Sequence, residues 1–456
     1  MERQLRPVLG GLIADALAAE VPPFTRRDVY VPGMKGKALA VVGIRRSGKT
    51  TFLWQCLADR LAAGAPREAL VYINFEDERL TGMSALDLQW VVEEYFAGHP
   101  SRRSRELVTF FFDEIQLVAG WEAFVRRLLD TERAEVLVSG SSARLLSREV
   151  ATAMRGRGLE VLVHPFSFRE YLRHHGAEPD RLWSRLPKAS RSALARHFRD
   201  YLADGGFPEA QRANQRDRGQ YLRSLVDVAL LRDVIDRHNV SNPAALRWML
   251  RHLMANPAGT FSVQKFFDAL KSQGLAVGKN TLHDYLGHLE DAFLVRTVWL
   301  HTASERQRMV NPRKAYPVDP GLIPVFDRAG RANHGHALET AVLLELERRG
   351  CQVGYLRTRE GFEVDFHARS PEGGALLIQV CADATDPDTW NREIRALASA
   401  AEDHPRATPL LLTFDADPPR AVLPALLRWQ PAASWLLGEP VPAQGRSVSS
   451  TTTRRR

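Results

Sequence analysis

Ala38-Leu39-Ala40-Val41-Val42-Gly43-Ile44-Arg45-Arg46-Ser47-Gly48-Lys49-Thr50-Thr51 decides the fold of this 456-residue chain. It reads as a short apolar strand, a G-x-x-x-x-G-K-T loop and the start of a helix that continues Phe52-Leu53-Trp54. That order is what a nucleoside triphosphate site requires. Gly43 and Gly48 let the backbone turn tightly, so that amides between Ile44 and Thr51 can face phosphate oxygens. The helix start adds the positive end of its dipole. Lys49 would reach the β- and γ-phosphates, and the Thr50 hydroxyl would sit on Mg2+.

Leu107-Val108-Thr109-Phe110-Phe111-Phe112-Asp113-Glu114 supports the same reading. A near-continuous apolar run ending in two carboxylates is the pattern of a buried parallel strand whose C-terminal end meets a ligand. Asp113 would hold the Mg2+ shell, and Glu114 would polarise an attacking water. A strand at Ala69–Phe75 falls between the two motifs, an arrangement found where P-loop proteins use a glutamate base. A fourth strand, Glu135–Ser139, would bring Ser139 or Ser141 near the γ-phosphate as a polar sensor. A fifth, near Leu159–Val163, would complete a parallel sheet. The fold class is therefore α/β.

The chain here resembles the bacterial and archaeal AAA-like ATPases that carry an uncharacterised C-terminal domain. The resemblance rests on Gly43–Thr51, on Phe112-Asp113-Glu114-Ile115-Gln116 with Gly120-Trp121-Glu122, and on Ser139-Gly140-Ser141-Ser142-Ala143-Arg144-Leu145-Leu146-Ser147. Gly156-Arg157, Pro165-Phe166-Ser167-Phe168-Arg169-Glu170-Tyr171 and Gly205-Gly206-Phe207-Pro208-Glu209 extend it. It implies ATP rather than GTP. It also implies an arginine finger at Arg157, with Arg155 as the second candidate, acting on a neighbouring subunit's site or from the chain's own lid. Either arginine could equally be a surface residue.

Composition sets the class and little more. The apolar fraction of 45% and charged fraction of 25% are those of a globular protein. Three cysteines, Cys56, Cys351 and Cys381, without C-x-x-C spacing argue against a disulfide framework or a zinc module, and suit a reducing cytoplasm. Neither a signal peptide nor a membrane span is expected. The net charge of +8 invites a nucleic-acid reading. Half of it, however, lies in Arg446, Arg454, Arg455 and Arg456 of a Ser/Thr/Pro/Arg-rich tail.

The expected organisation is an N-terminal segment (1–35), a P-loop ATPase core (36–175), a helical lid (176–254), a winged-helix-like unit (255–330), a C-terminal domain (331–437) and a disordered basic tail (438–456). In the winged unit, helices carrying Val263, Phe266, Phe267 and Leu270 and then Leu282, Tyr285, Leu286 and Leu289 precede a strand at Phe293–Trp299. The second helix holds three acids, Asp284, Glu290 and Asp291, which suit DNA phosphate poorly and favour packing or a protein partner. The C-terminal domain resembles a restriction-endonuclease-like core. Glu339 and Asp365 match its acids, but Gln379 and Cys381 stand where an acid and a lysine are needed, so nuclease activity is not expected. His174, His175, His334 and His336 lack metal-site spacing and read as solvated. The leading expectation is an Mg·ATP-hydrolysing switch coupled to a partner through the C-terminal domain. The alternatives are a DNA-binding module with an ATP-regulated grip and a nucleotide-held scaffold that forms homo-oligomers.

Overall fold

A computed structural model describes residues 2–140, 154, 156–327, 333–417 and 423–442. Ser141, Ser142, Arg155 and the tail beyond residue 442 lie outside the described residues.

Five strands form the first sheet: β1 (Ala38–Val42), β2 (Leu70–Asn74), β3 (Val108–Asp113), β4 (Ala134–Ser139) and β5 (Gly158–Leu162). They are all parallel, in the order β2-β3-β4-β1-β5. Their side chains alternate between two apolar layers. Leu39, Val41, Phe111 and Leu137 pack with Phe52 and Leu53 of the helix Lys49–Ala62. Ala40, Val42, Phe110, Phe112, Val136 and Val138 pack on the other face with Val91, Tyr95, Phe124 and Val125. Coverage on both faces explains why the strands read as continuous apolar runs. The strand order also gathers chemistry at one edge. The C-terminal ends of β1, β4 and β3 are consecutive neighbours, and these are where the phosphate loop, Ser139 and Asp113-Glu114 begin or end.

Helices Phe168–His174, Lys188–Asp204, Gln215–Ala229 and Pro243–Ala255 follow, with a π-helical turn at Leu230–Ile235. Leu222, Val226, Leu246 and Leu250 join the core under the first sheet. Phe168, Phe198 and Tyr201 join the core of the C-terminal region instead. His174 and His175, expected in solvent, are half-buried beside Phe166 and Tyr171, and Thr25 Oγ1 lies 2.8 Å from His174 Nδ1.

The second sheet has eight strands in the order β13-β12-β11-β10-β9-β7-β8-β6. In chain order these are β6 (Thr260–Phe261), β7 (Val295–Leu300), β8 (Arg313–Pro317), β9 (Gln352–Arg357), β10 (Glu363–Arg369), β11 (Ala375–Cys381), β12 (Thr408–Thr413) and β13 (Arg428–Pro431). Parallel pairing of β7 with β9 carries this sheet across the boundary expected near residue 330. β13 was not expected from the sequence, which is polar there. It pairs parallel with β12 and leads into the buried helix Ala432–Leu436. No helix among the described residues is long and apolar enough to cross a membrane.

Gly205-Gly206 fastens the helical segment to both sheets. Gly206 N–H donates to Asp319 (2.7 Å), and its carbonyl accepts from Phe166 N–H (2.7 Å). A Cβ on Gly205 would lie 1.8 Å from Asp319 Oδ1, and one on Gly206 would lie 2.2 Å from the Phe166 carbonyl oxygen. The second clash is against backbone, which cannot swing away. Gly206→Ala should therefore destabilise the chain by about 3 kcal/mol or more, read as a lowered midpoint in urea unfolding; an unchanged midpoint would show that this junction tolerates a side chain.

Candidate functional site

The phosphate loop is held in shape by glycine and by a buried arginine. Gly43 has φ 152° and Gly48 has φ 98°, both unfavourable for residues with a Cβ. A Cβ on Gly43 would meet the Val163 carbonyl oxygen at 2.2 Å. From the N-terminal segment, Arg27 extends beneath the loop. Its Nη1 donates to the Ser47 carbonyl (2.9 Å), its Nη2 donates to the His164 carbonyl, and its Nε lies 3.1 Å from Glu170 Oε2. Both side chains are buried. Burial pushes the Glu170 carboxyl up, but Arg27, Arg348 and the amides of Ser167 and Asp28 outweigh it and hold the carboxyl below the usual carboxylate range.

Lys49 is buried, and its Nζ donates to the carbonyls of Gly43 and Ile44, each at 3.2 Å. Burial lowers its pKa, opposed by the charges of Glu114 and Asp113. Thr50 and Thr51 are exposed on the first helical turn. Ser47 Oγ is buried without a hydrogen-bond partner inside the loop. A desolvated ammonium, an unsatisfied hydroxyl and the open amides of a helix start suit a phosphate chain.

Across the sheet edge, Asp113 is buried and takes two hydroxyl donors. Tyr72 OH donates to its Oδ2 (2.7 Å) and Ser139 Oγ to its Oδ1. The Ser139 oxygen also accepts from Glu114 N–H (3.1 Å). Ser139 thus bridges the two acids, at the strand end where the sequence placed a phosphate sensor. Glu114 adopts a left-handed conformation, φ 53° and ψ 39°, rare for a residue with a Cβ. Gln116 Nε2 donates to its Oε2. Each Asp113 oxygen keeps acceptor capacity beyond its hydroxyl donor, and the Thr50 side chain is exposed in the first helical turn after the loop, so the donor types fit a hard divalent cation.

The two loop arginines are taken up by acids of the helical segment. Arg45 makes a bidentate pair with Asp233 (Nε–Oδ2 2.8 Å, Nη2–Oδ1 3.0 Å), which sits on the π-helical turn. Burial pushes the Asp233 carboxyl up, and Arg45 pulls it partway back. Arg46 has φ 62° and pairs with Glu209 (3.0 Å). Sequence spacing gives no sign of either partner. Arg157 is not brought to this group. It precedes β5 at the sheet's opposite edge, where its guanidinium pairs with Asp130. It cannot serve the chain's own phosphate loop.

A second charged cluster lies in the C-terminal sheet. Lys314 on β8 is buried with Nζ 3.0 Å from Glu339 Oε1, 3.0 Å from Glu363 Oε1 and 3.1 Å from Asp365 Oδ1. Tyr316 OH donates to Glu339 (2.7 Å), and Val380 N–H donates to Asp365 (3.0 Å). Gln379 accepts from Asp365 N–H and donates to Glu393. Cys381 is buried, and burial pushes its thiol up to about 12. Lys314, which the sequence reading passed over, thus places an ammonium among these acids. Crowding three carboxylates around one buried ammonium disfavours the fully charged set. Burial and then Asp365 push Glu339 up to about 7, and the surrounding acids carry Lys314 well above its ordinary value despite burial.

Two outcomes follow for variants. Arg27→Ala leaves Glu170 buried without its cation and should cost about 3–5 kcal/mol, read by denaturant unfolding; a cost under about 1 kcal/mol would show that the pair does not hold the loop. For Glu339, a folded pKa raised above the unfolded one means that stability is full below about pH 4.5 and is lost as pH rises through about 7. Glu339→Gln should flatten that decline, and an unchanged pH profile would place the proton elsewhere.

A family model described as "AAA domain" matches residues 35–172, and one for a domain of unknown function, DUF8612, matches residues 195–331. The chain is 31% identical over 385 residues to the uncharacterised protein MJ1544 of Methanocaldococcus jannaschii, covering 83% of this chain and 81% of the relative. It is 31% identical over 344 residues to an uncharacterised protein of Haemophilus influenzae, covering 75% and 81%. Among solved structures, the Walker-type ATPase PABY2304 of Pyrococcus abyssi aligns over 70% of this chain and 95% of its own, with 16% identity and a TM-score of 0.39. With a P-loop sheet, an AAA domain and this extent of shared sequence, the chain belongs to the family of AAA-like P-loop proteins that includes MJ1544.

Proposed function

We propose that the chain is an ATP-hydrolysing switch whose nucleotide site controls how the helical segment holds the phosphate loop. The observation that carries this reading is the single sheet edge where Lys49, Asp113, Ser139 and Glu114 converge. Lys49 would leave the Gly43 and Ile44 carbonyls to meet the β- and γ-phosphates. Thr50 and Asp113 would hold Mg2+, which would offset phosphate charge. Glu114, aimed by its strained backbone and by Gln116, would take the proton of the attacking water. As an arginine finger, Arg157 would act on a neighbouring copy, which would require homo-oligomers.

The switch follows from the Arg45–Asp233 and Arg46–Glu209 pairs. Incoming phosphates compete for both arginines and repel both acids, so nucleotide binding loosens the helical segment. Motion there reaches the second sheet through Gly206 and Asp319. Strands β6, β7 and β8 with the helices Val263–Ser272 and Lys279–Asp291 have the order of a winged helix. Partner binding is favoured over DNA because Glu290 on the second helix is engaged by Thr297 and Arg313, and its exposed Asp284 would repel phosphate. The C-terminal sheet reads as a restriction-endonuclease-like core in which Lys314 occupies the space between the acids, so a partner-sensing role suits it better than cleavage. A reducing, cytoplasmic setting suits the three free cysteines.

Turnover of ATP by purified protein tests the reading. Lys49→Ala and Glu114→Gln should each lower the rate by about 100-fold or more, and double-stranded DNA should leave it unchanged. Stimulation by DNA would move the conclusion to the DNA-binding alternative, and absence of turnover with retained ATP binding would leave a nucleotide-held scaffold. Asp233→Asn releases Arg45 and removes a repelling charge. It should tighten ATP binding by roughly tenfold, about 1.4 kcal/mol, in a titration; unchanged or weaker binding would remove Asp233 from the switch.

A further inference from the structure

Three histidines far apart in the chain meet on one face of the second sheet. His301 directly follows β7, His367 lies within β10, and His404 caps the helix Pro387–Asp403. One nitrogen from each ring lies within 4.8 Å of the other two.

The sheet is built to allow this. β9 runs between β7 and β10, and its Gly354 pairs with Trp299 on one side and His367 on the other. Without a side chain at 354, the rings of His301 and His367 reach across β9 and stack at 3.7 Å between centroids, 18° from parallel. A Cβ on Gly354 would come within 3.1 Å of His301 Cβ. His301 is fixed by donation from its backbone N–H to the Tyr355 carbonyl (2.7 Å). His404 completes the group at 5.8 Å from His301 and 5.6 Å from His367, with its ring steeply inclined to both. Its backbone N–H donates to the Ala400 carbonyl (2.9 Å), which sets where the helix ends.

Stacked imidazoles repel when protonated, so the arrangement favours neutral rings with lone pairs available. Neutral imidazole is the preferred ligand of borderline divalent transition metals. At a metal–nitrogen distance of about 2.0–2.1 Å, tetrahedral ligand atoms sit about 3.3 Å apart. Because imidazole lone pairs lie in the ring plane, His301 and His367 would have to turn out of their stack for both to address one ion with His404.

We propose that His301, His367 and His404 form a three-histidine site for a divalent transition metal of the zinc class. His367 is buried, His404 is half-buried and His301 is exposed, so the fourth coordination position opens toward solvent on the His301 side. The metal would clip the end of β7 to β10 and to the close of the following helix. It would thereby fasten the β6–β8 unit to the C-terminal strands. This site is separate from the phosphate loop and does not depend on ATP hydrolysis.

Untagged full-length protein, stripped with EDTA and dialysed, would be titrated with Co2+ as a spectroscopic substitute for Zn2+. The expected result is one Co2+ per chain with the intense visible band of tetrahedral coordination, displaced by Zn2+, and a thermal midpoint raised by either metal. His301→Gln is the deciding variant, because its side chain is exposed and the fold does not rest on it. It should weaken binding by about 100-fold or more, as should His404→Gln, while Lys49→Ala binds Co2+ as the parent chain does. Absence of stoichiometric binding at micromolar metal, or undiminished binding by folded His301→Gln, would overturn the proposal.

Discussion

The buried guanidinium of Arg27 is the contact on which the nucleotide site depends. It lies under the phosphate loop, donating to Ser47 from below and to His164 just past β5, while Glu170 supplies the opposing charge. Three segments far apart in sequence, around residues 27, 47 and 164–170, are held by this one side chain. A loop built around positive-φ glycines has little intrinsic preference for one shape, because glycine has the most freedom to lose. A planar cation with several donors can fix such a loop through its carbonyls and leave its amides turned toward a ligand. Gln55 completes the arrangement by exchanging two hydrogen bonds with the Arg27 backbone.

From that anchor a chain of polar contacts leads outward. The loop passes Arg45 and Arg46 to Asp233 and Glu209. The helical segment passes Gly206 to Asp319. Residue 319 follows β8, and β8 pairs with β7, which in turn pairs with β9. No step needs a moving domain interface, since the apolar core under the first sheet extends without a break through Leu222 and Leu250 to Leu282 and Leu286. The three regions therefore share one packed core, with the charged pairs at the loop joining its polar rim.

What the sequence made legible was local. The G-x-x-x-x-G-K-T loop, the Phe112-Asp113-Glu114 strand end and the apolar runs of the parallel sheet are each set by neighbours within a few residues, and they appear where expected. Ser139 was placed at the right edge, but its partners are Asp113 and the Glu114 amide, which only strand order could reveal. Asp233 is 188 residues from Arg45, and no periodicity links them. Lys314 is 51 residues from Asp365, in a stretch where the sequence suggested no strand and which was assigned to the winged unit, so its meeting with the acids was missed. The histidine group escaped for the same reason, since its members come together only because β9 separates β7 from β10 and carries a glycine between them.

The central claim is that the loop, with Lys49 at its base, takes the phosphates of ATP. Calorimetric titration of Mg·ATP into the purified chain, beside Lys49→Ala and Glu114→Gln, tests it most directly. The account expects one ATP per chain, binding retained in Glu114→Gln, and binding lost or weakened by at least about 100-fold, roughly 2.7 kcal/mol, in Lys49→Ala. Equal binding by the parent chain and Lys49→Ala, or no binding by either, would contradict it.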